Sequence, residues 1–210
     1  MTIIEEPLSF HWQAEKRKAT EMIVLHHSAG AGSVQDIHAM HQAQGWTGIG
    51  YHYYVRKNGR VYRGRPEDQI GTHTAHYNAR SIGICFEGNF EKDTMYDAQF
   101  RAGVELLEYL FDKYGDLPVY GHRDWNATAC PGRNFPLERM KEEATMTQEK
   151  FNQMANTWLK SLGTLPEPAW SQQSGELQAA VSAGITDGTR PCSPATRVEV
   201  AAMILRAREG

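Results

Sequence analysis

Two apolar segments far apart in the chain each lead into a histidine, and this pair constrains the fold most. Residues 22–25 (MIVL) precede His26, and residues 117–121 (LPVYG) precede His122. Short apolar runs of this kind are typical of buried strands, so both histidines should lie at strand ends. Cys130 follows in a loop that a Pro-Gly pair closes. Because imidazole and thiolate ligands suit Zn²⁺, the sequence predicts a zinc site at His26, His122 and Cys130.

A zinc ion with three protein ligands keeps its fourth tetrahedral position for water, which is the arrangement of catalytic rather than structural sites. Such an ion lowers the pKa of bound water toward about 7 and polarises a carbonyl group. The predicted site therefore indicates a hydrolase. An unrelated zinc deaminase is disfavoured, since the sequence lacks the His-x-Glu and Cys-x-x-Cys pattern of that class.

The composition is typical of a globular protein and excludes several classes of function. Of the 210 residues, 40% are hydrophobic and 22% are charged. No run approaches the roughly 18 apolar residues that a membrane-spanning helix needs. A net charge of -3 without a basic stripe argues against a nucleic-acid partner. Three widely spaced cysteines do not indicate a disulfide framework. We therefore expect neither nucleic acid nor membrane as a partner.

Helix and strand signals are mixed along residues 1–145. A Ser-x-x-Asp pattern opens a predicted helix over residues 33–44. An Asn-Gly pair at residues 58–59, between two β-prone runs, predicts a hairpin. Residues 81–87 carry a further strand pattern, and residues 97–114 carry an apolar helical stripe. The expected fold class is therefore α/β.

The composition shifts near residue 145, which predicts a catalytic domain over residues 1–145 and a small helical C-terminal module over residues 146–210. Residues 147–162 place apolar side chains on one helix face. A linker containing Gly and Pro follows at residues 163–168.

Several separated blocks of the first 144 or so residues resemble the type 2 N-acetylmuramoyl-L-alanine amidases and the peptidoglycan-recognition proteins. Each block is short, and their joint order and spacing make the signal specific. The blocks lie at residues 24–28, 45–46, 49–52, 58–65, 73–78, 81–84, 121–124 and 130–132. The resemblance implies a mixed central β-sheet flanked by helices.

The resemblance also implies a reaction and roles for particular residues. It implies Zn²⁺ held by His26, His122 and Cys130, and cleavage of the amide between the lactyl group of N-acetylmuramic acid and the L-alanine of the stem peptide. Tyr51 matches the family tyrosine near the metal, so we expect its hydroxyl to contact the water or the oxyanion. Thr128 falls where phage members carry a lysine and many recognition-protein amidases carry a threonine, and we expect it to supply a supporting hydrogen bond.

No family motif in this sequence fixes the general base. Glu87 is a candidate because it ends a strand and shares a face with Cys85 by two-residue alternation. A solvated carboxylate at a strand end is the alternative interpretation of Glu87. His73 and Asn78 flank the expected cleft, where substrate contact and a structural loop role both remain open.

Other side chains receive structural interpretations. His38 and His41 lie three residues apart on one helix face, which favours a partly exposed polar face over a metal pair. Cys85, on an apolar strand, is expected to be a small core residue. Asp124 is expected to anchor its loop or to orient a ligand through a hydrogen bond.

The C-terminal module has a looser resemblance of its own. Residues 179–206 resemble part of an S-layer-homology-type module, through GITDG at residues 184–188 and PATRVE at residues 194–199. Such modules commonly anchor proteins to secondary cell-wall polymers, which would be a second partner besides bacterial peptidoglycan. The alternatives are a helical cap that stabilises the first domain and a dimerising element.

The expected function is a peptidoglycan hydrolase of the phage or prophage endolysin type. The N-terminus is acidic and lacks the basic start and apolar core of a signal peptide. We therefore expect synthesis in the cytoplasm and action on the cell wall after release. Two alternatives remain. One is a non-catalytic peptidoglycan-binding receptor, a class that typically lacks the cysteine ligand, and the other is a cytoplasmic muropeptide-recycling amidase.

Overall fold

Six short strands form one mixed sheet, which confirms the expected α/β class. The strands are β1 (Ile3–Ile4), β2 (Met22–His27), β3 (Tyr53–Val55), β4 (Val61–Arg63), β5 (Ser81–Phe86) and β6 (Val119–Gly121). Their order across the sheet is β1-β4-β3-β5-β2-β6. Strands β3 and β4 are antiparallel, and every other neighbouring pair is parallel.

The computed structural model describes residues 1–146, 157–158, 161 and 169–185. The chain divides into two compact units, Met1–Thr145 and Met146–Gly210. The sheet belongs to the first unit. No helix within these described ranges has the length and apolar character that crossing a membrane requires.

Three helices accompany the sheet in the first unit: α1 (Val34–Ala43), α2 (Asp97–Tyr114) and α3 (Leu137–Ala144). The predicted start of α1 is confirmed, because the Ser33 side chain accepts from the backbone N–H of Asp36 while the Asp36 carboxylate accepts from that of Ser33. Two single turns of 3-10 helix, Asn78–Arg80 and His122–Asp124, lie in the loops that surround the site described below.

The second unit is described only in part. Its described segments include the short helices α4 (Ala169–Ser174) and α5 (Glu176–Ser182). Most of the helix predicted over residues 147–162 lies outside the described residues. The same holds for the sequence patterns at residues 186–188 and 194–199 on which the S-layer-homology resemblance depends.

The predicted hairpin is confirmed, but its first strand is shorter than the β-prone run of residues 49–57 suggested. Strand β3 begins only at Tyr53, and two N–H groups earlier in that run have side-chain partners instead of strand partners. The N–H of Ile49 donates to Nδ1 of His38 at 3.2 Å, and the N–H of Gly50 donates to Nδ1 of His41 at 3.0 Å. Both histidines are buried, so the partly exposed polar face that we expected for them is wrong.

Apolar side chains fill both faces of the sheet. On one face, side chains of β2 and β5 such as Leu25 and Ile84 pack with those of α2 and α3. On the other face, Cys85 packs in a smaller cluster that includes residues of α1, which confirms it as a core residue. Fully burying an aliphatic side chain contributes roughly 1.5–3 kcal/mol. Since neighbours in a strand point to opposite faces, His26 lies on the α1 side, opposite Leu25.

A buried carboxylate in the first unit predicts acid sensitivity of the fold. Glu67 accepts hydrogen bonds from Lys113, Tyr114, Tyr53 and Arg63. Burial alone would raise its pKa, but the hydrogen bonds, foremost that from Lys113, outweigh burial and lower the pKa to about 2. The resulting stability is present above the unfolded-state pKa of about 4.3 and is lost as the pH falls toward 2.

We expect Glu67→Gln to reduce the loss of unfolding free energy between pH 4.5 and pH 2 by about 2 kcal/mol, because the variant lacks this titrating carboxylate. Urea unfolding of both proteins across this pH range measures the effect. Parallel pH profiles for the variant and the unchanged protein would contradict the assignment.

Candidate metal centre

Two neighbouring parallel strands bring the two predicted histidine ligands together. In the pairing of β2 with β6, Leu25 lies opposite Gly121. The residues that follow, His26 and His122, therefore leave the sheet at the same edge, and their ring centroids are 4.6 Å apart. One ligand atom each from His26, His122 and Cys130 lies within 4.8 Å of the others. The structure thus brings together all three residues of the predicted ligand set.

Backbone contacts hold the loop that carries Cys130 against these strand ends. The N–H of Arg123 donates to the carbonyl of Cys130 at 2.8 Å, which closes the loop. The sulfur of Cys130 lies 3.8 Å from Nδ1 of His26 and accepts from the N–H of His27 at 3.4 Å. Asp124 accepts from the N–H of Gly121 at 2.8 Å and so anchors the start of the loop, as predicted.

The hydrogen bonds of the two histidines indicate which nitrogen of each ring is free to bind a cation. Nε2 of His122 lies 3.0 Å from the amide oxygen of Asn126, which can only accept, so Nε2 carries the proton and Nδ1 has the lone pair. Nε2 of His26 lies 3.1 Å from Nδ1 of His73. When Nδ1 of His26 is a ligand, its Nε2–H donates to His73. Both rings then present Nδ1 to the space beside Cys130.

Burial sets the protonation states of this cluster. Burial lowers the pKa of His26 well below its ordinary value and also lowers the pKa of His122, so both rings are neutral near pH 7. Burial raises the pKa of Cys130 to about 11, against the opposing effects of the His27 N–H and of Arg123. A thiol of this kind gives up its proton when a divalent cation binds.

The donor set and its spacing fit Zn²⁺. Ligand bonds of about 2.05 Å for nitrogen and 2.3 Å for sulfur place tetrahedral neighbours roughly 3.5 Å apart. The observed separation of 3.8 Å between the sulfur of Cys130 and Nδ1 of His26 is close to that value. Two neutral imidazoles and one thiolate form the type of set that zinc prefers.

Tyr51 lies beside the three ligands, where the resemblance placed it. Its ring centroid is 5.1 Å from that of His26. Its hydroxyl is close enough to the thiols of Cys85 and Cys130 for both to act on it electrostatically. Burial raises the pKa of Tyr51 well above its ordinary value, so the phenol keeps its proton at neutral pH.

Thr128 supports the Cys130 loop. Its side-chain oxygen accepts from the N–H of Cys130 at 3.2 Å, and the residue is exposed. This hydrogen bond is directed at the backbone of the cysteine, and the supporting role in catalysis that we expected of Thr128 stays a prediction.

Glu87, the candidate general base, is engaged elsewhere. Its carboxylate pairs with Arg56 at 2.5 Å and accepts from the backbone N–H groups of Lys57 and Gly32. Burial would raise its pKa, but these hydrogen bonds outweigh burial and lower it. Glu87 is also buried, so the solvated carboxylate considered as the alternative is wrong. A carboxylate with these partners and a lowered pKa is a poor proton acceptor.

His73 and Asn78 shape the loop next to His26. The His73 ring is buried, and a Cβ atom at Gly83 would come within 2.5 Å of it, so the ring packs on the sheet where Gly83 leaves room. The amide oxygen of Asn78 accepts from the N–H groups of His73 and Thr74, each at 2.8 Å. Asn78 therefore holds the backbone at His73, and the His73 ring in turn contacts His26. The contact of either side chain with substrate stays a prediction.

Sequence reasoning missed two features of this site, the hydrogen-bond partner of His122 and the aromatic contacts of Trp125. Asn126, which fixes the proton of His122, lies four residues after it in an irregular loop, where no periodic pattern marks it. Trp125 packs against Tyr77 in a tilted arrangement and meets Tyr120 edge-on, with ring centroids 4.2 and 4.9 Å away, and the three rings form an aromatic wall beside the Cys130 loop. The two tyrosines come from separate parts of the chain, so only the fold brings these rings together.

Comparison with known proteins agrees with this geometry. A family model described as N-acetylmuramoyl-L-alanine amidase matches residues 16–133. The chain is similar to the endolysin of Escherichia phage T7, with 34% identity over 140 residues, which is 62% of this chain and 91% of the phage protein. It is also similar to the solved structure of the N-acetylmuramoyl-L-alanine amidase LysC from Clostridium intestinale URNW, at 37% identity and a TM-score of 0.67, over 70% of this chain and 99% of that one.

A further solved structure is a peptidoglycan recognition protein, PGRP-LE, in complex with tracheal cytotoxin, a monomeric diaminopimelic acid-type peptidoglycan. The chain is 25% identical to it, with a TM-score of 0.61. The likeness covers 66% of this chain and 92% of that one. Relatives of this fold therefore include both endolysins and a protein that binds a peptidoglycan fragment.

Proposed function

Because this chain belongs to the N-acetylmuramoyl-L-alanine amidase family, we propose that it is a zinc-dependent peptidoglycan hydrolase of the endolysin type. The bond cleaved would be the amide between the lactyl group of N-acetylmuramic acid and the L-alanine of the stem peptide. The observation that carries this proposal is the convergence of His26, His122 and Cys130, which offer the two nitrogens and one sulfur of a catalytic zinc site.

Zinc bound at this site would supply an activated water and a polarised carbonyl. His26 and His122 would hold it through Nδ1, and Cys130 would hold it as a thiolate. Asn126 and His73 keep the two rings in the required tautomer and orientation.

Tyr51 is the proposed hydrogen-bond donor to the oxygen on which negative charge develops during attack on the amide. Its phenol stays protonated because burial raises its pKa, and a preformed donor of this kind stabilises a transition state without reorganisation. Thr128 would hold the Cys130 backbone in place. We leave Glu87 out of the catalytic set, since its carboxylate is bonded to Arg56 and two backbone N–H groups.

A non-catalytic peptidoglycan receptor is the main alternative, and the similarity to a recognition protein bound to a peptidoglycan fragment shows that the fold supports it. Cys130 favours hydrolysis, because a receptor needs no cysteine sulfur 3.8 Å from an imidazole nitrogen. A cytoplasmic muropeptide-recycling amidase would use the same chemistry on soluble fragments.

Mass spectrometry of digested bacterial walls tests the reaction. The proposal expects intact stem peptides with free L-alanine amino termini, together with glycan strands that carry free lactyl carboxylates. Digestion products cleaved only within the glycan or within the peptide would contradict it. Assays on purified walls and on soluble muropeptides side by side separate an endolysin from a recycling enzyme.

The proposed partner is bacterial peptidoglycan, reached at the cell wall after release from the cell that makes the protein. For residues 146–210 we propose wall binding through a secondary polymer, supported only by the sequence patterns at residues 184–188 and 194–199. Cosedimentation with purified walls, comparing the full chain with a form that ends at residue 145, tests this role.

His73 offers a test of the ligand geometry. We expect His73→Ala to weaken zinc affinity by 10- to 100-fold, because His26 then loses the acceptor that fixes its proton on Nε2. Competition with a chromophoric chelator measures the affinity directly, and His11→Ala serves as the control, because His11 is exposed and is not among the ligand atoms. An unchanged zinc affinity in His73→Ala would show that His73 does not position His26.

A further inference from the structure

We propose that a cavity lined by two tryptophans at the end of α1 is a saccharide subsite that binds an N-acetylhexosamine ring of the glycan strand. This inference rests on the proposed function, since the glycan belongs to the substrate. The cavity has a volume of about 350 Å³, within the range of small-ligand sites. We call it the tryptophan cavity, and its lining includes Trp12, Glu15, Trp46, Thr47, Arg65 and Thr72.

Trp12 presents an indole at the mouth of the tryptophan cavity on a fixed backbone. It is 55% exposed, so it contributes little to the core. Its backbone N–H donates to the side-chain oxygen of Thr47 at 3.0 Å, and the Thr47 hydroxyl donates to its carbonyl. The neighbouring His11 N–H donates to the carbonyl of Thr47 at 2.9 Å. A large aromatic surface on an already ordered backbone binds a ligand at a low entropic cost.

Arg65 forms a rigid floor to the tryptophan cavity. Its side chain is buried, and its N–H groups donate to the carbonyls of Gly48, Ile49 and Ile70 and to the hydroxyl of Thr72. No carboxylate of the described part of the chain lies within 4 Å of this guanidinium. The floor is therefore polar and held in place from two loops.

The donor capacity of Arg65 favours a neutral ligand over an anion. A guanidinium has five N–H donors, and clamping a carboxylate takes two parallel ones. Four are used within the protein, so one remains.

Glu15 is exposed and pairs with no cation among the described residues, which leaves its carboxylate free to accept from hydroxyl groups. A sugar ring has an apolar C–H face that packs on indole and a rim of hydroxyls that hydrogen-bond such groups.

Aromatic contacts connect the tryptophan cavity to the metal centre. The Trp46 ring lies 4.6 Å from that of His41, and the His41 ring lies 5.4 Å from that of Tyr51. Tyr51 in turn contacts the ligand His26, with centroids 5.1 Å apart. The cavity is therefore three ring contacts from the site of cleavage, on the side of α1. These separations put the Trp46 ring at most about 15 Å from the His26 ring, so the sugar in the cavity would be one further along the same glycan strand than the muramyl residue at the metal centre.

Nuclear magnetic resonance of the full chain, labelled with nitrogen-15, tests the subsite with chitotetraose as the probe. This tetramer of N-acetylglucosamine has no peptide and no scissile amide, so its binding does not depend on amidase activity. We expect the indole N–H signals of Trp12 and Trp46 to shift on titration while that of Trp158, which is 61% exposed in the second unit, does not. Shifts confined to Trp125, or no shifts at all, would overturn the proposal.

Two variants measure the contribution of the lining. Trp12→Ala should weaken chitotetraose binding at least tenfold, and Glu15→Ala should weaken it severalfold, whereas the matched surface variant Trp158→Ala should bind as the unchanged protein does. Equal affinities in all three would contradict the subsite. If free stem peptide shifts the two indoles and chitotetraose does not, the cavity binds peptide and the saccharide proposal is wrong.

The outcomes separate this inference from the proposed function. A protein that binds chitotetraose at Trp12 but leaves the muramyl amide intact would refute the amidase proposal alone. A protein that cleaves the amide but shows no binding at Trp12 and Trp46 would refute the saccharide subsite alone.

Discussion

Replacing Cys130 with alanine is expected to abolish peptidoglycan hydrolysis, lowering turnover by more than about 10³-fold. The variant keeps only two of the three ligands, and two imidazoles do not complete a zinc site. We expect the variant to fold, because the hydrogen bond that closes the loop runs from the Arg123 N–H to the backbone carbonyl of residue 130. The substitution leaves that carbonyl unchanged. We therefore expect near-normal thermal stability of the metal-free protein with little bound zinc.

Elemental analysis of the purified variant, together with turbidity of wall suspensions, measures both effects. Cys85→Ala is the matched control, because it removes a second thiol that lies in the α1-side core and not among the ligand atoms. The control should retain stoichiometric zinc. A Cys130→Ala protein that still clears walls would eliminate Cys130 as a ligand in catalysis.

Tyr51→Phe is expected to lower kcat by about 10²- to 10³-fold while zinc affinity stays unchanged. The substitution removes only the hydroxyl that we assign to the developing oxyanion and keeps the ring that packs against His26. Because the loss belongs to the transition state, KM should change little. Steady-state kinetics on a soluble muropeptide, with zinc content measured in parallel, provide the test.

Tyr54→Phe is the control for the loss of a buried tyrosine hydroxyl. The hydroxyl of Tyr54 donates to the carbonyl of Gly32 at 2.9 Å, and its residue packs in the same α1-side cluster. We expect a modest loss of stability from Tyr54→Phe and nearly full activity. If both variants lose activity equally, the effect of Tyr51 is structural and the proposed oxyanion contact is wrong.

The two histidine ligands were predictable because their meeting depends only on the parallel pairing of the strands that precede them. Once two apolar runs pair in parallel, the residues that follow them meet at one edge of the sheet, and the register of Leu25 with Gly121 places His26 and His122 there. Local patterns also predicted the Ser33 cap and the Asn-Gly turn, since both depend on residues close in sequence.

Features that depend on distant partners could not be predicted. The helical spacing of His38 and His41 predicts surface residues, but both are buried and accept hydrogen bonds from the backbone N–H groups of residues 49–50 in the next segment. The sequence predicts a free carboxylate at Glu87, whereas the fold brings Arg56, which follows β3, beside it. The position of the His73 ring depends on the absence of a side chain at Gly83, on the adjacent strand surface. No periodicity within one segment carries such information.

Removal and return of zinc is the measurement that tests the central claim most directly. Protein stripped of metal with a strong chelator and assayed in metal-free buffer should release no free L-alanine amino termini from bacterial walls. One equivalent of Zn²⁺ should restore the activity of the unchanged protein and not that of Cys130→Ala. Metal-free protein that still cleaves the muramyl amide at its original rate would contradict a catalytic zinc held by His26, His122 and Cys130.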